Sequence, residues 1–270
     1  MPPDGAILAF DTSGPFCAAA LRAGGRIVSQ RNEPMPKGQA ERLIPMLEEM
    51  LAEAGLGWPD LAALAVCTGP GNFTGVRIGV AAARGLALGL GVPAIGVTGL
   101  EALAHGAPRP VLACLDARRG QLYAQLFGEN LEHVASSGAH PPVAHSDTGM
   151  RPPAPQAGAF APTRAVACPH EAAGSEPDET QPPPATPELT APDALEARDW
   201  PDGLSVTGAG MKGLAARLGA RFLPPPANPC IAIAALAAER RATPQPRPAP
   251  LYLRPADATP RAEAPPVLLP

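Results

Sequence analysis

Two aspartates stand in the same local pattern, each at the end of an apolar run that is followed by a short turn and a second apolar run. Asp11 ends the first such run, and Asp116 ends a similar one later in the chain. A carboxylate at such a turn can bind a magnesium ion beside a nucleotide phosphate, although its ordinary role is to accept a hydrogen bond from its own turn. Thr12 and Ser13 add two hydroxyl groups beside Asp11. These four residues form a candidate remnant of a nucleotide site.

A glycine-rich turn at residues 69–74, Gly-Pro-Gly-Asn-Phe-Thr, leads from an apolar run into a predicted helix. Because the first N–H groups of a helix have no partner within it, such a turn can bind a phosphate. This turn lacks the Lys-Ser/Thr pair of a P-loop, and no acidic residue closes the next strand at Val97, as a dinucleotide fingerprint requires. Capping of the helix by Thr68 or Asn72 is the simpler role for its polar residues.

The helix after this turn has almost no bulk along one side, because Gly75, Gly79 and Ala83 recur at every fourth position. Each glycine costs roughly 1 kcal/mol relative to alanine in a helix, and close packing against a neighbour is the usual compensation. The neighbour can be another part of the chain or another protein. Arg77 and Arg84 share one face of the same helix and could meet carboxylates of a partner or remain solvated.

The N-terminal part of the chain lacks the residues that metal-dependent or serine-dependent catalysis would need. The first histidine is His105, and His140 and His145 lie in a proline-rich segment without further ligands. Ser13 and Ser29 have no candidate histidine in the same half for a catalytic triad. We therefore expect no metal site and no catalytic residue.

The composition narrows the class of protein further. A net charge of −4 provides no overall positive field for nucleic acid. The five cysteines are widely spaced without a C-x-x-C pair, which is typical of a reducing compartment, and we expect buried thiols at Cys17, Cys67 and Cys114. The N-terminus lacks the pattern of a secretion signal, and Arg84, Pro93 and several glycines interrupt the longest apolar segment. These features predict a cytoplasmic chain.

Hydrophobic periodicity defines the elements that position these residues. The helix at residues 39–54 is amphipathic, with Leu43, Leu47 and Met50 on its apolar side. In order, the first part of the chain reads as strands 6–10, 16–21 and 26–30, helix 39–54, strand 64–68, helix 74–89 and strand 94–97. Two strands joined by a helix should be parallel. This order is that of a ribonuclease-H-like or actin-like half-domain.

The pattern of strand, aspartate, turn and strand begins again at residue 111, which predicts a second half of the same kind. We predict an α/β, two-lobed, actin-like fold with a degenerate second lobe. The first lobe would span residues 1–104 and be completed by helix 229–243. The smaller lobe would span 105–228, and a proline-rich tail would occupy 244–270. Within the smaller lobe, most of the proline-rich insertion 138–201 is expected to lack regular structure.

Five motifs resemble the TsaB family, also called YeaZ, the bacterial subunit needed to make threonylcarbamoyladenosine in tRNA. They lie at residues 7–13, 69–79, 85–89, 96–103 and 115–120, and residues 251–254, Leu-Tyr-Leu-Arg, resemble the C-terminal signature of the family. The resemblance implies a non-catalytic subunit that pairs with a larger catalytic paralogue, TsaD. The metal-binding His-x-x-x-His of TsaD has no counterpart at the start of the helix that begins at Gln39.

By resemblance, helices 39–54 and 74–89 form the surface that joins TsaD, and the isolated protein pairs with itself through the same surface. An ATPase, TsaE, would then bind the heterodimer, tRNA would be reached through the complex, and ATP or ADP would belong to the complex, bound weakly if at all by this chain. The implied interface residues are Leu43, Leu47, Met50, Gly75, Arg77, Ile78, Gly79, Ala82 and Ala83. The alternative is a self-sufficient actin-fold small-molecule kinase or ATPase, which would need ATP at Asp11 and Asp116. An older label of the family as a protease finds no support in these residues.

Overall fold

The computed structural model describes residues 5–128 and 186–254. The first lobe contains β1 (Ala6–Asp11), β2 (Phe16–Ala23), β3 (Arg26–Pro34), α1 (Gln39–Glu53), β4 (Leu61–Cys67), α2 (Phe73–Leu90), β5 (Ala94–Val97) and α3 (Gly99–Ala104). The elements that follow are β6 (Val111–Arg118), β7 (Gln121–Phe127), β8 (Glu188–Thr190), α4 (Pro192–Glu196), β9 (Ser205–Thr207), α5 (Lys212–Arg217), β10 (Arg221–Leu223) and α6 (Pro229–Arg240).

The two five-stranded sheets have the same topology. In the first sheet the order is β3-β2-β1-β4-β5, in which β1 to β3 form an antiparallel meander and β4 and β5 run parallel to β1. The second sheet has the order β8-β7-β6-β9-β10 with the same strand directions. Its strands β8, β9 and β10 have only three residues each. The predicted actin-like fold with a reduced second lobe is therefore confirmed.

Helices cover both faces of the first sheet, and the central strand β1 is buried along its whole length. Successive side chains of a strand point to opposite faces. Accordingly, Leu8 and Phe10 pack with α1 and α2, whereas Ile7 and Ala9 pack with α6. Burial on both faces is the reason why the strand is apolar without alternation.

The short helix α3, which the periodicity did not predict, packs against both sheets. Leu100 and Ala104 lie in a cluster with β6 and β7, while Ala102 lies in the cluster of α6 and the first sheet. A capping box begins the helix, since Thr98 and Glu101 each accept a hydrogen bond from the backbone N–H of the other. The spacing Thr-x-x-Glu was the available signal for this helix.

Most of the proline-rich insertion was expected to lack regular structure, and its last part contains two short regular elements. Residues 138–185 lie outside the described residues, but β8 and α4 occupy residues 188–196. Leu195 is fully buried in the core of the second lobe, and Leu189 packs against the cluster on the other face of that sheet. These contacts stabilise elements that are too short to form from local propensity alone.

Candidate partner-binding surface

The turn after β1 is joined to the start of α2 by direct hydrogen bonds. Thr12 Oγ1 donates to the carbonyl oxygen of Gly75 at 2.7 Å, and the N–H of Asn72 donates to the carbonyl oxygen of Ser13 at 2.7 Å. Asp11 is buried and accepts a hydrogen bond from the N–H of Ser13 at 2.7 Å. The candidate nucleotide residues of the first lobe therefore lie against the glycine-rich turn.

The small-residue stripe of α2 faces this same turn. A Cβ atom on Gly75 would lie 1.9 Å from the carbonyl oxygen of Thr12, and one on Gly79 would lie 2.9 Å from Thr12 Oγ1. Ala83, the third member of the stripe, is fully buried. The sequence allowed either this chain or another protein to pack against this stripe, which we call the inner stripe. In the structure it packs against its own chain.

The N-terminus of α2 is occupied by its own cap. Asn72 Oδ1 accepts hydrogen bonds from the N–H groups of Thr74 at 3.0 Å and Gly75 at 3.2 Å. The capping role predicted for Asn72 is confirmed, whereas Thr68 directs its hydroxyl to the carbonyl oxygen of Val97 at 3.3 Å. Two of the N–H groups that would bind a phosphate are thus already satisfied.

The second aspartate has the same local role as the first in a different environment. Asp116 is exposed and accepts a hydrogen bond from the N–H of Arg118 at 2.8 Å. Asp11 makes the equivalent bond from a buried position, so each carboxylate stabilises its own turn. Nucleotide binding by Asp11, Thr12, Ser13 and Asp116 remains a prediction.

Burial raises the pKa of Asp11, and hydrogen bonds from Ser13 oppose the effect only in part. A carboxyl whose pKa is higher in the folded chain than in the unfolded chain destabilises the fold as pH rises above the unfolded value. We expect Asp11→Asn to stabilise the chain by about 1 kcal/mol or more at pH 7, because the amide can accept the same hydrogen bond without a buried charge. Chemical denaturation should show this gain disappearing as the pH falls below the ordinary aspartate pKa of 3.8.

The exposed aspartate provides the control for this measurement. Asp116→Asn removes a carboxylate with the same turn hydrogen bond but without burial, so it should leave the unfolding free energy within about 0.5 kcal/mol of the wild type. A stability gain for Asp11→Asn that is the same at acid and neutral pH would contradict the assignment of the effect to the buried charge.

The cysteine thiols are buried as predicted at the three positions named from the sequence. Burial raises the pKa of Cys17 to about 11 and that of Cys114 to about 12, and the pKa of Cys67 is also raised. Cys230 is a fourth buried free thiol, and Cys168 lies outside the described residues. Within residues 5–128 and 186–254, no group of three His, Cys, Asp or Glu side chains could hold a metal ion.

Most of the predicted interface residues face the core of this chain, so the surface open to a partner is formed by other residues. Six are buried between the helices and the first sheet, namely Leu43, Leu47, Met50, Gly75, Gly79 and Ala83. Ile78 and Ala82 are half-buried against the same core, so Arg77 is the exposed member of the set. The apolar side of an amphipathic helix packs on its own sheet before it can meet a partner.

The opposite face of α2 is open. Phe73 is 47% exposed and Leu88 is 83% exposed, with Ala81, Gly85 and Gly89 also exposed between and beside them. These three small residues form an outer stripe at every fourth position, and a Cβ on Gly85 or Gly89 would meet no atom within 4 Å.

By length and composition alone, α2 is the one helix in the described part of the chain that could cross a membrane, and 33% of its apolar window is buried.

The chain after α6 returns to the N-terminal end of this face. We call residues 244–254 the C-terminal strap. The N–H of Leu251 donates to the carbonyl oxygen of Thr68 at 2.8 Å, and the phenol oxygen of Tyr252 accepts a hydrogen bond from Arg77 Nε at 2.7 Å. An open groove of about 400 Å³ is lined by Arg77, Val80, Ala81, Arg84 and Pro250. Ala81 belongs both to the outer stripe and to the lining of this groove, so the two adjoin on the open side of α2.

Comparison with known proteins agrees with the motifs in the sequence. Residues 34–161 match the family model described as TsaD, tRNA N6-adenosine threonylcarbamoyltransferase. The tRNA threonylcarbamoyladenosine biosynthesis protein TsaB of Escherichia coli is 44% identical over 122 residues, which are 43% of this chain and 52% of that protein. TsaB of Haemophilus influenzae is 40% identical over 122 residues, with 43% and 51% covered. The chain thus spans about half the length of the curated relatives it matches.

A solved structure extends the similarity over most of the chain. YeaZ from Pseudomonas aeruginosa superposes with a TM-score of 0.60 at 25% identity, covering 92% of this chain and 100% of that chain. The equivalent sheets, the motifs and the named relatives agree with one another. The chain is thus similar in sequence to proteins named TsaB and in fold to YeaZ.

Proposed function

We propose that this chain is a non-catalytic, activating subunit in the formation of N6-threonylcarbamoyladenosine in tRNA next to the anticodon, and that it acts by forming a heterodimer with a TsaD-type catalytic paralogue. The observation that carries the proposal is the open face of α2, on which Phe73 and Leu88 remain exposed beside a stripe of small residues. The names of its relatives, which are tRNA threonylcarbamoyladenosine biosynthesis proteins, supply the reaction.

The shape of this face favours a helix of another protein. Small residues at every fourth position allow two helix backbones to approach closely, and large apolar side chains at the ends of the stripe provide the anchors typical of protein interfaces. A nucleic acid would require more positive charge than the two arginines of the groove provide. tRNA would therefore be bound through the complex rather than by this face alone.

The alternative of a self-sufficient kinase or ATPase is less consistent with the geometry near Asp11. The N–H groups at the start of α2 are taken by Asn72, and the glycine-rich turn lies directly against Thr12 and Ser13. A Cβ on Gly71 would lie 2.5 Å from the carbonyl oxygen of Ser13. Little space is left in which a phosphate could contact these residues.

The proposed complex would be cytoplasmic, with a TsaE-type ATPase joining the heterodimer and ATP or ADP bound by the complex. In the absence of the paralogue, a second copy of the chain would occupy the same face. We expect the purified full-length chain to co-elute with the TsaD-type protein of the same organism and to stimulate threonylcarbamoyl transfer to tRNA in a reconstituted reaction. Separate elution without stimulation would contradict the proposal.

Calorimetry with Mg-ATP on the isolated chain separates the two functions. We expect weak or undetectable binding and no hydrolysis, because the groups around Asp11 are engaged with one another. Tight binding accompanied by turnover, and lost in Asp11→Asn, would instead support the kinase.

A further inference from the structure

We propose that the C-terminal strap is part of the partner-binding surface and that Phe73 and Tyr252 hold Arg77 ready to pair with a carboxylate of the partner protein. This inference rests on the proposed function, since it requires a partner on the outer face of α2. It adds Tyr252, which is far from α2 in sequence, to the partner-binding surface. It also specifies that the partner must supply a carboxylate.

Arg77 is held by three contacts although it lies at the surface. Its guanidinium carbon is 3.7 Å from the centroid of the Phe73 ring and 5.6 Å from that of Tyr252. Its Nε donates a hydrogen bond to the phenol oxygen of Tyr252 at 2.7 Å. The two rings contact each other with centroids 5.0 Å apart. The side chain is therefore fixed before any partner arrives.

The contacts leave most of the donors of Arg77 available. A guanidinium has five N–H donors, and the bond to Tyr252 uses the one on Nε. Within residues 5–128 and 186–254, the terminal amino groups of Arg77 make no hydrogen bond. Two such amino groups in a fixed plane match the two oxygens of a carboxylate. Because the side chain is already ordered, binding would lose less conformational entropy than at a mobile arginine.

The surroundings favour a carboxylate on a protein over a phosphate of RNA. Beside Arg77 the groove is lined by the apolar residues Val80, Ala81 and Pro250, and Arg84 is its other charged residue. Arg84 follows Arg77 by two helical turns, a rise of about 10.5 Å. Two acidic residues separated by two turns on a partner helix along α2 would meet both arginines. This pattern of isolated charges on apolar surface is typical of a protein interface.

Anchors on both sides of Tyr252 hold the strap independently of its ring. Leu251 is hydrogen-bonded to Thr68, and Arg254 donates to Gln121 Oε1 at 2.8 Å. Leu253 packs against the cluster that contains β6 and β7. Tyr252 is therefore a positioning residue that acts through Arg77, and its replacement should leave the path of the strap unchanged.

The test is a double-mutant cycle on the affinity of the full-length chain for the TsaD-type paralogue, measured by calorimetry. Arg77→Gln should weaken binding about 10- to 100-fold and reduce its dependence on salt. Tyr252→Ala should weaken binding about 10-fold, and Tyr252→Phe should weaken it less because the ring remains. In the Arg77→Gln background, Tyr252→Ala should have little further effect on the affinity. Arg221→Gln, at an exposed arginine of β10, is the matched control and should bind like the wild type.

The outcomes separate this inference from the proposed function. If the wild type binds the paralogue and Arg77→Gln and Tyr252→Ala bind equally well, the inference fails while the proposed function stands. If the wild type does not bind, both fail. If Arg77→Gln leaves this affinity unchanged but weakens binding of tRNA to the complex, the carboxylate assignment is overturned. Should Tyr252→Ala fail to fold, Tyr252→Phe and Arg77→Gln still decide the question.

Discussion

Gly75→Ala is expected to destabilise the chain by about 3 kcal/mol or more, whereas Gly85→Ala, on the same helix, should stabilise it by about 0.5–1 kcal/mol. A Cβ on Gly75 would lie 1.9 Å from the backbone oxygen of Thr12, which directly follows the buried central strand β1, and that backbone cannot shift without disturbing the strand. Gly85 is exposed with no atom within 4 Å, so only the helix propensity changes. Chemical denaturation followed by far-UV circular dichroism measures both.

A third glycine of the helix, Gly79, is expected to show an intermediate effect. At Gly79 the nearest contacts are side-chain atoms, Thr12 Oγ1 at 2.9 Å and a Val66 methyl carbon at 3.3 Å, which can adjust in part. Gly79→Ala should therefore have a stability between those of Gly75→Ala and Gly85→Ala. Equal stabilities for the three variants would contradict the conclusion that the inner stripe packs against its own chain.

Ala81→Arg is expected to weaken binding to the TsaD-type paralogue by about 100-fold or more, which corresponds to about 2.7 kcal/mol. The substitution places a long charged side chain on the outer stripe, where the two helix backbones would approach closely, and adds a third positive charge beside Arg77 and Arg84. Because Ala81 is exposed and arginine is a good helix former, the unfolding free energy should stay within about 0.5 kcal/mol of the wild type. Calorimetry and thermal unfolding of the same preparations test the two statements together.

The matched control is Ala216→Arg, at an exposed alanine of α5 in the second lobe. It should change neither binding nor stability. Unchanged binding of Ala81→Arg would remove the outer face of α2 from the proposed interface. A substitution on the inner side, such as Leu43→Ala, should instead lower stability by about 2–5 kcal/mol, because Leu43 is fully buried in the core.

Local patterns in the sequence were sufficient for most of the first lobe. Buried parallel strands read as continuous apolar runs, and α1 shows the period of an amphipathic helix. The repeated strand, aspartate, turn and strand predicted two lobes, which the equivalent strand orders of the two sheets confirm. The short elements α3, β8 and α4 were missed. A capping box could have revealed α3, but β8 and α4 depend on contacts with residues distant in sequence.

Which side of α2 packs against the sheet could not be predicted from its residues. The helix carries two stripes of small residues, an inner one that includes Gly75 and Gly79 and an outer one that includes Ala81 and Gly85. Either could pack on the sheet, because which side of a helix is covered depends on where the sheet lies and not on the helix alone. The inner stripe was predicted to face the partner, whereas in the structure it lies against Thr12.

By itself, then, the sequence predicted the order of the main elements of the first lobe, the two-lobed fold and the resemblance to TsaB, because these follow from local periodicity and from contiguous motifs. Only the tertiary structure decided which residues are available to a partner. The apolar side of α1 and the inner stripe of α2 are buried within the chain. The return of the C-terminal strap brought Tyr252 to Arg77, two residues separated by 175 positions in the chain. A contact between residues so far apart in sequence depends on how the whole chain packs, and no local sequence pattern predicts it.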